Sequence, residues 1–386
     1  MNKQIGNVQL MQTINRVKVL SYFRQHPFSS RPQAAADIGL SPASLTNITS
    51  YLINKNLLKE VGTQEVARVG RKSTLLCFNE DAKNLLCVGI SKDMTNVFRV
   101  NLVGEQKEVK SFSMIGLEID EVVSLIRDRI QEYLDTYGEG SFMGIGLFLS
   151  GLVLTGNRFI FSADLNWDEY DFVSQIGKIT SLPVIIENTT ALNAMAFFKG
   201  TEYTSEENVI FMDMHEGIGM SYFSKGRENT DILGEIGHTT VDIHGAECVC
   251  GNKGCLEVMC SVGRALAFYK ELSGKEVKLQ EFNELLEKKD AAAEEAVQKC
   301  AEYLGVALTN VMKLFMPSIL VCNMGTYMQC RPIWERAVDI LQANMQKVFG
   351  RTLPVQEIVL KEKDVLAGMA IRICDKLFDV EYFQNI

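Results

Sequence analysis

The chain has 386 residues, 47% hydrophobic and 23% charged, with 39 Lys and Arg against 48 Asp and Glu. At roughly 100–200 residues per domain this length suggests two or three domains, and the composition excludes wholesale disorder. No run approaches the roughly 18 apolar residues of a membrane span. The first residues lack the apolar core of a secretory signal, so the ten cysteines are expected to be cytoplasmic thiols or metal ligands rather than a disulfide scaffold.

A net charge of −9 argues against a nucleic-acid partner, but the charge is uneven. Residues 1–79 hold ten cations and three acids, a net of +7, which leaves −16 for the remainder. Such asymmetry indicates a basic nucleic-acid-binding part joined to an acidic part.

Leu10, Ile14, Val17, Leu20 and Phe23 recur at helical spacing. Ser30 with Pro32 predicts the start of a second helix, which Gly39 should end in a left-handed conformation. Ser41-Pro42 predicts the cap and first turn of a third, with Leu45, Ile48, Leu52 and Ile53 inward and Ser44, Thr46, Asn47 and Ser50 outward. Two short helices joined through Gly39-Leu40-Ser41 make a helix-turn-helix, whose second helix reads the major groove with its N-terminal residues. Strands at Leu57–Val61 and Ser73–Phe78 flank the basic turn Arg68-Val69-Gly70-Arg71-Lys72, which suits a wing that neutralises phosphate. The expected contacts with double-stranded operator DNA are Arg31, Ser41, Ser44, Thr46, Asn47, Arg68, Arg71 and Lys72.

Beyond about residue 80 the pattern becomes α/β. Strand candidates at Leu85–Ile90, Val97–Leu102, Met143–Leu149 and Leu182–Ile186 surround a helix over Glu118–Tyr137. A second set, Val209–Met212, Met220–Phe223 and Ile319–Cys322, is accompanied by helices at Glu257–Leu272, Ala291–Phe315 and Pro332–Phe349. Two similar sets of hairpin and crossover predict a duplicated body with a cleft between lobes. The expected boundaries are 1–79 for the DNA-binding part, 80–190 for the first lobe and 191–386 for the second.

Gly234-Glu235-Ile236-Gly237-His238 is followed nine residues later by Cys248-Val249-Cys250-Gly251-Asn252-Lys253-Gly254-Cys255-Leu256-Glu257. One imidazole and three thiolates form a Cys3His set, a normal complement for a closed tetrahedral zinc site. Gly251 and Gly254 let the loop turn tightly, and metal ligation would order a segment poor in apolar residues. Cys260 is expected to be a core thiol.

These motifs resemble those of the ROK family of sugar kinases and sugar-responsive repressors, along essentially the whole chain. The E-x-G-H at Glu235–His238 and the C-x-C-G-x-x-G-C-x-E at Cys248–Glu257 carry the resemblance; the helix-turn-helix and Gly70-Arg71 match the repressor branch. It implies an actin-like, hexokinase-like two-lobed fold, preceded here by an α+β winged helix-turn-helix. It also implies structural zinc on His238, Cys248, Cys250 and Cys255, beside a sugar pocket that uses Glu235, His238 and Glu257. Asn188 and Asp164 are the further expected sugar contacts, Asp164 standing where the family has asparagine in Ser162–Trp167.

The same resemblance separates a switch from an enzyme. Ser91 stands where family kinases carry the aspartate of their first phosphate turn, and Thr189 follows Asn188 where they carry the general base. The second phosphate turn reads His215-Glu216-Gly217-Ile218-Gly219, and the adenosine loop reads Cys322-Asn323-Met324-Gly325. Loss of a general base alone costs about 10²–10⁴-fold in rate. The expectation is therefore a sugar-responsive transcription regulator with no ATP and no catalysis, binding its operator as a homodimer or homotetramer. The alternatives are a kinase with residual activity and a regulator controlled by a protein partner.

Overall fold

The structure is a computed structural model and describes residues 2–64, 73–199, 208–215 and 217–383. The N-terminal unit comprises α1 (Asn2–Gln25), β1 (Ser29–Ser30), α2 (Arg31–Ile38), α3 (Pro42–Asn54), β2 (Leu58–Gln64) and β3 (Ser73–Phe78). Both serine caps form: Ser30 Oγ accepts from the Gln33 N–H at 3.4 Å, and Ser41 Oγ accepts from the Ser44 N–H at 3.1 Å. Gly39 ends α2 at φ +78°, where a side chain would be strained. Leu20, Phe23, Ala34, Leu45, Leu52 and Leu58 are buried together over an antiparallel sheet ordered β1-β3-β2. The basic turn expected at 68–72, with Arg68, Arg71 and Lys72, lies outside the described residues.

The first lobe contains β4 (Asn84–Ile90), β5 (Met94–Asn101), β6 (Gln106–Ser113), α4 (Ile119–Tyr137), β7 (Phe142–Leu149), the hairpin β8 (Leu152–Leu154) and β9 (Arg158–Phe161), α5 (Phe172–Ile176) and β10 (Val184–Asn188). Its sheet is ordered β10-β7-β4-β5-β6, antiparallel within the β4–β5–β6 meander and parallel from β4 through β7 to β10. Both faces are covered, so β4 is buried and without polar side chains from Leu85 to Ile90. Leu86 and Val88 pack against Val122, Ile126 and Ile130 of α4, while Leu85 and Cys87 join a core on the opposite face.

α6 (Thr189–Lys199) leads to the second lobe. There β11 (Asn208–Met214), β12 (Ile218–Ser224) and β13 (Arg227–Glu228) precede α7 (Leu256–Cys260), α8 (Val262–Ser273), α9 (Leu279–Glu287) and α10 (Ala291–Phe315). β14 (Ile319–Asn323), α11 (Arg331–Phe349) and β15 (Val355–Ile358) follow, then α12 (Glu362–Leu377) and α13 (Val380–Phe383). The sheet order β13-β12-β11-β14-β15 repeats that of the first lobe strand for strand, an antiparallel meander extended by parallel crossovers. The duplication expected from the sequence is thus present.

Two features differ from the sequence reading. The helix expected over Glu257–Leu272 is two helices, because Ser261 leaves helical geometry at ψ 159° and caps α8 by accepting from the Arg264 N–H. Further, α12 falls in the segment assigned to the second lobe but packs beneath the first sheet. Its Leu366, Met369 and Ile373 are buried with Leu85, Cys87, Phe148 and Ile185. Gly368 permits this, since a Cβ there would stand 2.1 Å from the Leu192 carbonyl oxygen of α6. The end of α12 meets the N-terminal unit, where Arg24 pairs with Asp375 at 2.8 Å and Phe78 meets Phe378 edge to face.

Candidate functional site

The Cys-rich loop is built between the E-x-G-H turn and α7. Isolated bridges Thr240–Cys255 and Glu247–Lys253 fold it into a narrow hairpin. Gly254, at φ +63°, lies so close to the Asp242 carbonyl that no side chain would fit. The ligand atoms of His238, Cys248, Cys250 and Cys255 all fall within 4.8 Å of one another. Cys248 Sγ is 3.6 Å from His238 Nδ1, and Cys250 Sγ is 3.6 Å from Cys255 Sγ. Zinc bonds of about 2.3 Å to sulfur and 2.0 Å to nitrogen in a tetrahedron produce ligand separations of this size. The donor set and its spacing therefore fit a structural zinc. Cys260 lies outside the set; it is buried and 3.1 Å from the Tyr327 hydroxyl.

His238 presents Nδ1 to the thiols, which turns its other edge toward a cleft of about 380 Å³ between the lobes. All five expected sugar contacts, Asp164, Asn188, Glu235, His238 and Glu257, line this one cleft. Asp164 and Asn188 come from the first lobe, the other three from the second. Asp164 Oδ2 accepts from Ser150 Oγ at 2.6 Å. The Asn188 amide is committed to bracing: its nitrogen donates to the Gly151 carbonyl at 2.5 Å and its oxygen accepts from the Thr190 N–H at 2.7 Å. Glu257 Oε2 accepts from the Ile218 N–H at 3.0 Å, so β12 fixes the carboxylate. Burial pushes the Glu235 and Glu257 carboxyls above their usual range; His238 opposes this at Glu235, and the Ile218 N–H does so at Glu257.

Sequence reasoning missed part of the wall. Ser150 at the end of β7, Lys92 after β4, and Lys361 before α12 also face the cleft. Its floor is a polar network around the buried Asp213, which accepts from Asn193 at 2.6 Å and Asn323 at 3.0 Å and pairs with His215 at 2.7 Å. The unusual His215 was visible as a departure from a phosphate turn, but Asn193 and Asn323 lie on other elements and form no local motif.

In the N-terminal unit, Ser41, Ser44, Thr46 and Asn47 occupy the exposed face at the start of α3. Ser41 Oγ also donates to Ser44 Oγ at 2.9 Å, and Thr46 Oγ1 donates to the Pro42 carbonyl at 2.8 Å. Arg31, expected to face DNA, pairs within the protein: Nε donates to Thr49 Oγ1 at 2.9 Å and an Nη to Glu60 Oε1 at 3.0 Å. Its position at the start of α2 points it at α3 and β2, which it braces.

Duplicated five-stranded lobes around a polar cleft, with a Cys3His loop on the rim, define an actin-like, hexokinase-like body. More narrowly, the chain belongs to the ROK family, whose model matches residues 88–373. It is 26% identical to the xylose repressor of Bacillus subtilis (strain 168) over 97% of this chain and 99% of that protein. It is 24% identical to the DNA-binding transcriptional dual regulator NagC of Escherichia coli (strain K12), over 95% and 94%. Among solved structures, a ROK family transcriptional regulator described as a homologue of the E. coli MLC protein superposes with a TM-score of 0.79 at 23% identity, covering 97% of this chain and 98% of that one. A ROK hexokinase from Thermus thermophilus superposes at 0.61 and 20% identity, covering 78% and 100%. The kinase thus matches a smaller share of this chain than the regulator does.

Proposed function

We propose that this protein is a sugar-responsive, DNA-binding transcriptional repressor of carbohydrate-utilisation genes, without catalytic activity. The observation that carries the reading is full-length similarity to curated repressors, combined with a cleft in which Thr189 and Ser91 replace the two acids a sugar kinase needs. The base-reading surface is the exposed start of α3, with Asn47 toward base edges and Ser41, Ser44 and Thr46 toward phosphate and sugar. Arg68, Arg71 and Lys72 supply the wing. The inducer is a small sugar held between Asp164 of the first lobe and Glu235, His238 and Glu257 of the second, with Asn188 bracing the Gly151 turn beside it. Zinc on His238, Cys248, Cys250 and Cys255 orders that rim; its contribution is structural. A homodimer or homotetramer presents two copies of α3 to successive major-groove faces. No helix among the described residues is long and apolar enough to cross a membrane.

The test is operator binding by fluorescence anisotropy against a sugar panel led by D-xylose and N-acetylglucosamine. The expected result is release by one sugar, corresponding to coupling of about 1–3 kcal/mol, or roughly 5- to 150-fold in operator affinity. Sugar-dependent ADP release above that of a Glu235→Ala control would overturn the non-catalytic reading.

A further inference from the structure

α12 is held by both lobes and also touches the DNA-binding unit. Its apolar face is buried against the first sheet through Leu366, Met369 and Ile373. Its start is tied to the second lobe, because Asn323 Oδ1 at the end of β14 accepts from the Leu360 N–H at 2.9 Å. Leu360, Lys361, Glu362 and Val365 line the same cleft as the expected sugar contacts.

Further along the helix, Arg372 sits between two carboxylates. Its Nε is 2.6 Å from Glu187 Oε2 on β10, and a terminal nitrogen donates to Glu228 on β13. Their side chains are only 22%, 17% and 13% exposed, so solvent screens these pairs weakly. The two contacts have different meanings. Glu187 belongs to the sheet on which α12 already packs, whereas Glu228 belongs to the other lobe. Glu187 also directly precedes Asn188, which braces the cleft. One turn beyond Arg372, Asp375 pairs with Arg24 of α1, whose guanidinium lies 5.5 Å from the Phe378 ring centre and 5.9 Å from that of Phe78.

We propose that α12 is the transmission helix between the sugar cleft and the DNA-binding unit, with Glu228 as the second lobe's grip on Arg372. Lobe movement about the cleft shifts the anchor at Leu360 and the grip at Arg372 together. α12 then shifts slightly against the first sheet, within the reach of the Glu187–Arg372 pair, and Asp375 and Phe378 carry the shift to α1. Small sliding of packed helices is an established mode of domain motion. The inference rests on the sugar-responsive reading for its signal but not for its mechanical part.

The triad holds two carboxylates against one guanidinium, so Glu228→Ala leaves a neutral Glu187–Arg372 pair and a foldable protein. Glu228→Gln keeps an acceptor and should be intermediate. Arg158→Gln, which breaks the exposed pair with Glu169, is the control. In zinc-loaded full-length protein without sugar, Glu228→Ala should speed amide exchange about tenfold in α12 and in α1, the factor for a local opening made ~1.4 kcal/mol easier. With D-xylose, its calorimetric affinity should stay within about threefold of wild type while its effect on operator affinity falls by about tenfold or disappears, the scale of a typical allosteric coupling. Unchanged exchange in both helices, or an equal change in the Arg158→Gln control, overturns the transmission role. If wild type ignores every sugar, the inducer reading fails, and the exchange comparison alone still decides for or against α12.

Discussion

Glu257→Gln isolates the charge on the cleft from its shape. The structure commits Oε2 to the Ile218 N–H at 3.0 Å. A glutamine can keep that bond through its carbonyl oxygen, so the local fold should survive. Its amide nitrogen then replaces the other carboxylate oxygen, which converts an acceptor for a sugar hydroxyl into a donor. A hydrogen bond to a charged group contributes about 1.5–3 kcal/mol, so the inducing sugar should bind roughly 10- to 150-fold more weakly. Two measurements check this. Calorimetry gives sugar affinity directly, and anisotropy gives the sugar concentration for half-release of operator, which should rise by the same factor. Operator affinity without sugar should be unchanged, since Glu257 lies in the body and not in the N-terminal unit. Unaltered sugar affinity would show that Glu257 does not contact the ligand. Loss of operator binding in the absence of sugar would show that the carboxylate acts through the fold.

Metal analysis should find about one zinc per chain, and Cys250→Ser should lose it together with the sugar response; full response in metal-free protein would refute the structural role of zinc. Asn47→Ala should alter base preference at one operator position by about 1–3 kcal/mol, whereas Arg71→Ala should weaken all sequences alike and lower the salt slope by about one. The reverse pattern, seen by anisotropy across salt concentrations and operator variants, would mean that helix and wing have been exchanged. Ser41→Ala removes the acceptor for the Ser44 N–H and should cost the N-terminal unit about 1 kcal/mol, measured by amide exchange in α3. No change there would mean that the cap adds nothing to the placement of the reading helix.

What could be read from the sequence was what is local. Caps at Ser30 and Ser41, the glycine stop at Gly39, and the Cys3His loop each depend on residues a few positions apart, and each stands where expected. That Asp164 and Glu257 would line one cleft was legible through the resemblance, because its motifs belong to a two-lobed body. What escaped depends on tertiary placement. Arg31 reads as one more cation in a basic segment until Thr49 and Glu60 are seen beside it. The Asp213 network draws on α6, β11 and β14, and Arg372 meets partners 185 and 144 positions earlier in the chain. α12 was missed as an element of the first lobe because its apolar face is complementary to a sheet formed some 220 residues before it, and its own periodicity says nothing about which sheet that is.

The energy scale constrains how such a switch can move. Breaking a buried ion pair by removing one partner costs about 3–5 kcal/mol, whereas coupling between sites is usually about 1–3 kcal/mol. A sugar that had to rupture the Arg372 triad would therefore spend more than the coupling it delivers. The lobes must instead move with Glu228 and Arg372 still joined, and the displacement must be taken up where resistance is smaller. The apolar contact between α12 and the first sheet can yield by a small shift, within the reach over which the Glu187 and Arg372 side chains stay paired. At the far end, the Arg24–Asp375 pair is more open, with Asp375 at 56% side-chain exposure. An exposed pair of this kind contributes at most about 1 kcal/mol, so it can be remade in a new position with little penalty. The gradient from a shielded grip between the lobes to a soft contact at α1 favours motion that is transmitted along α12 and released into the basic N-terminal unit. That unit carries a net +7 against −16 for the rest of the chain, so even a modest reorientation changes how closely the acidic body approaches the operator phosphates.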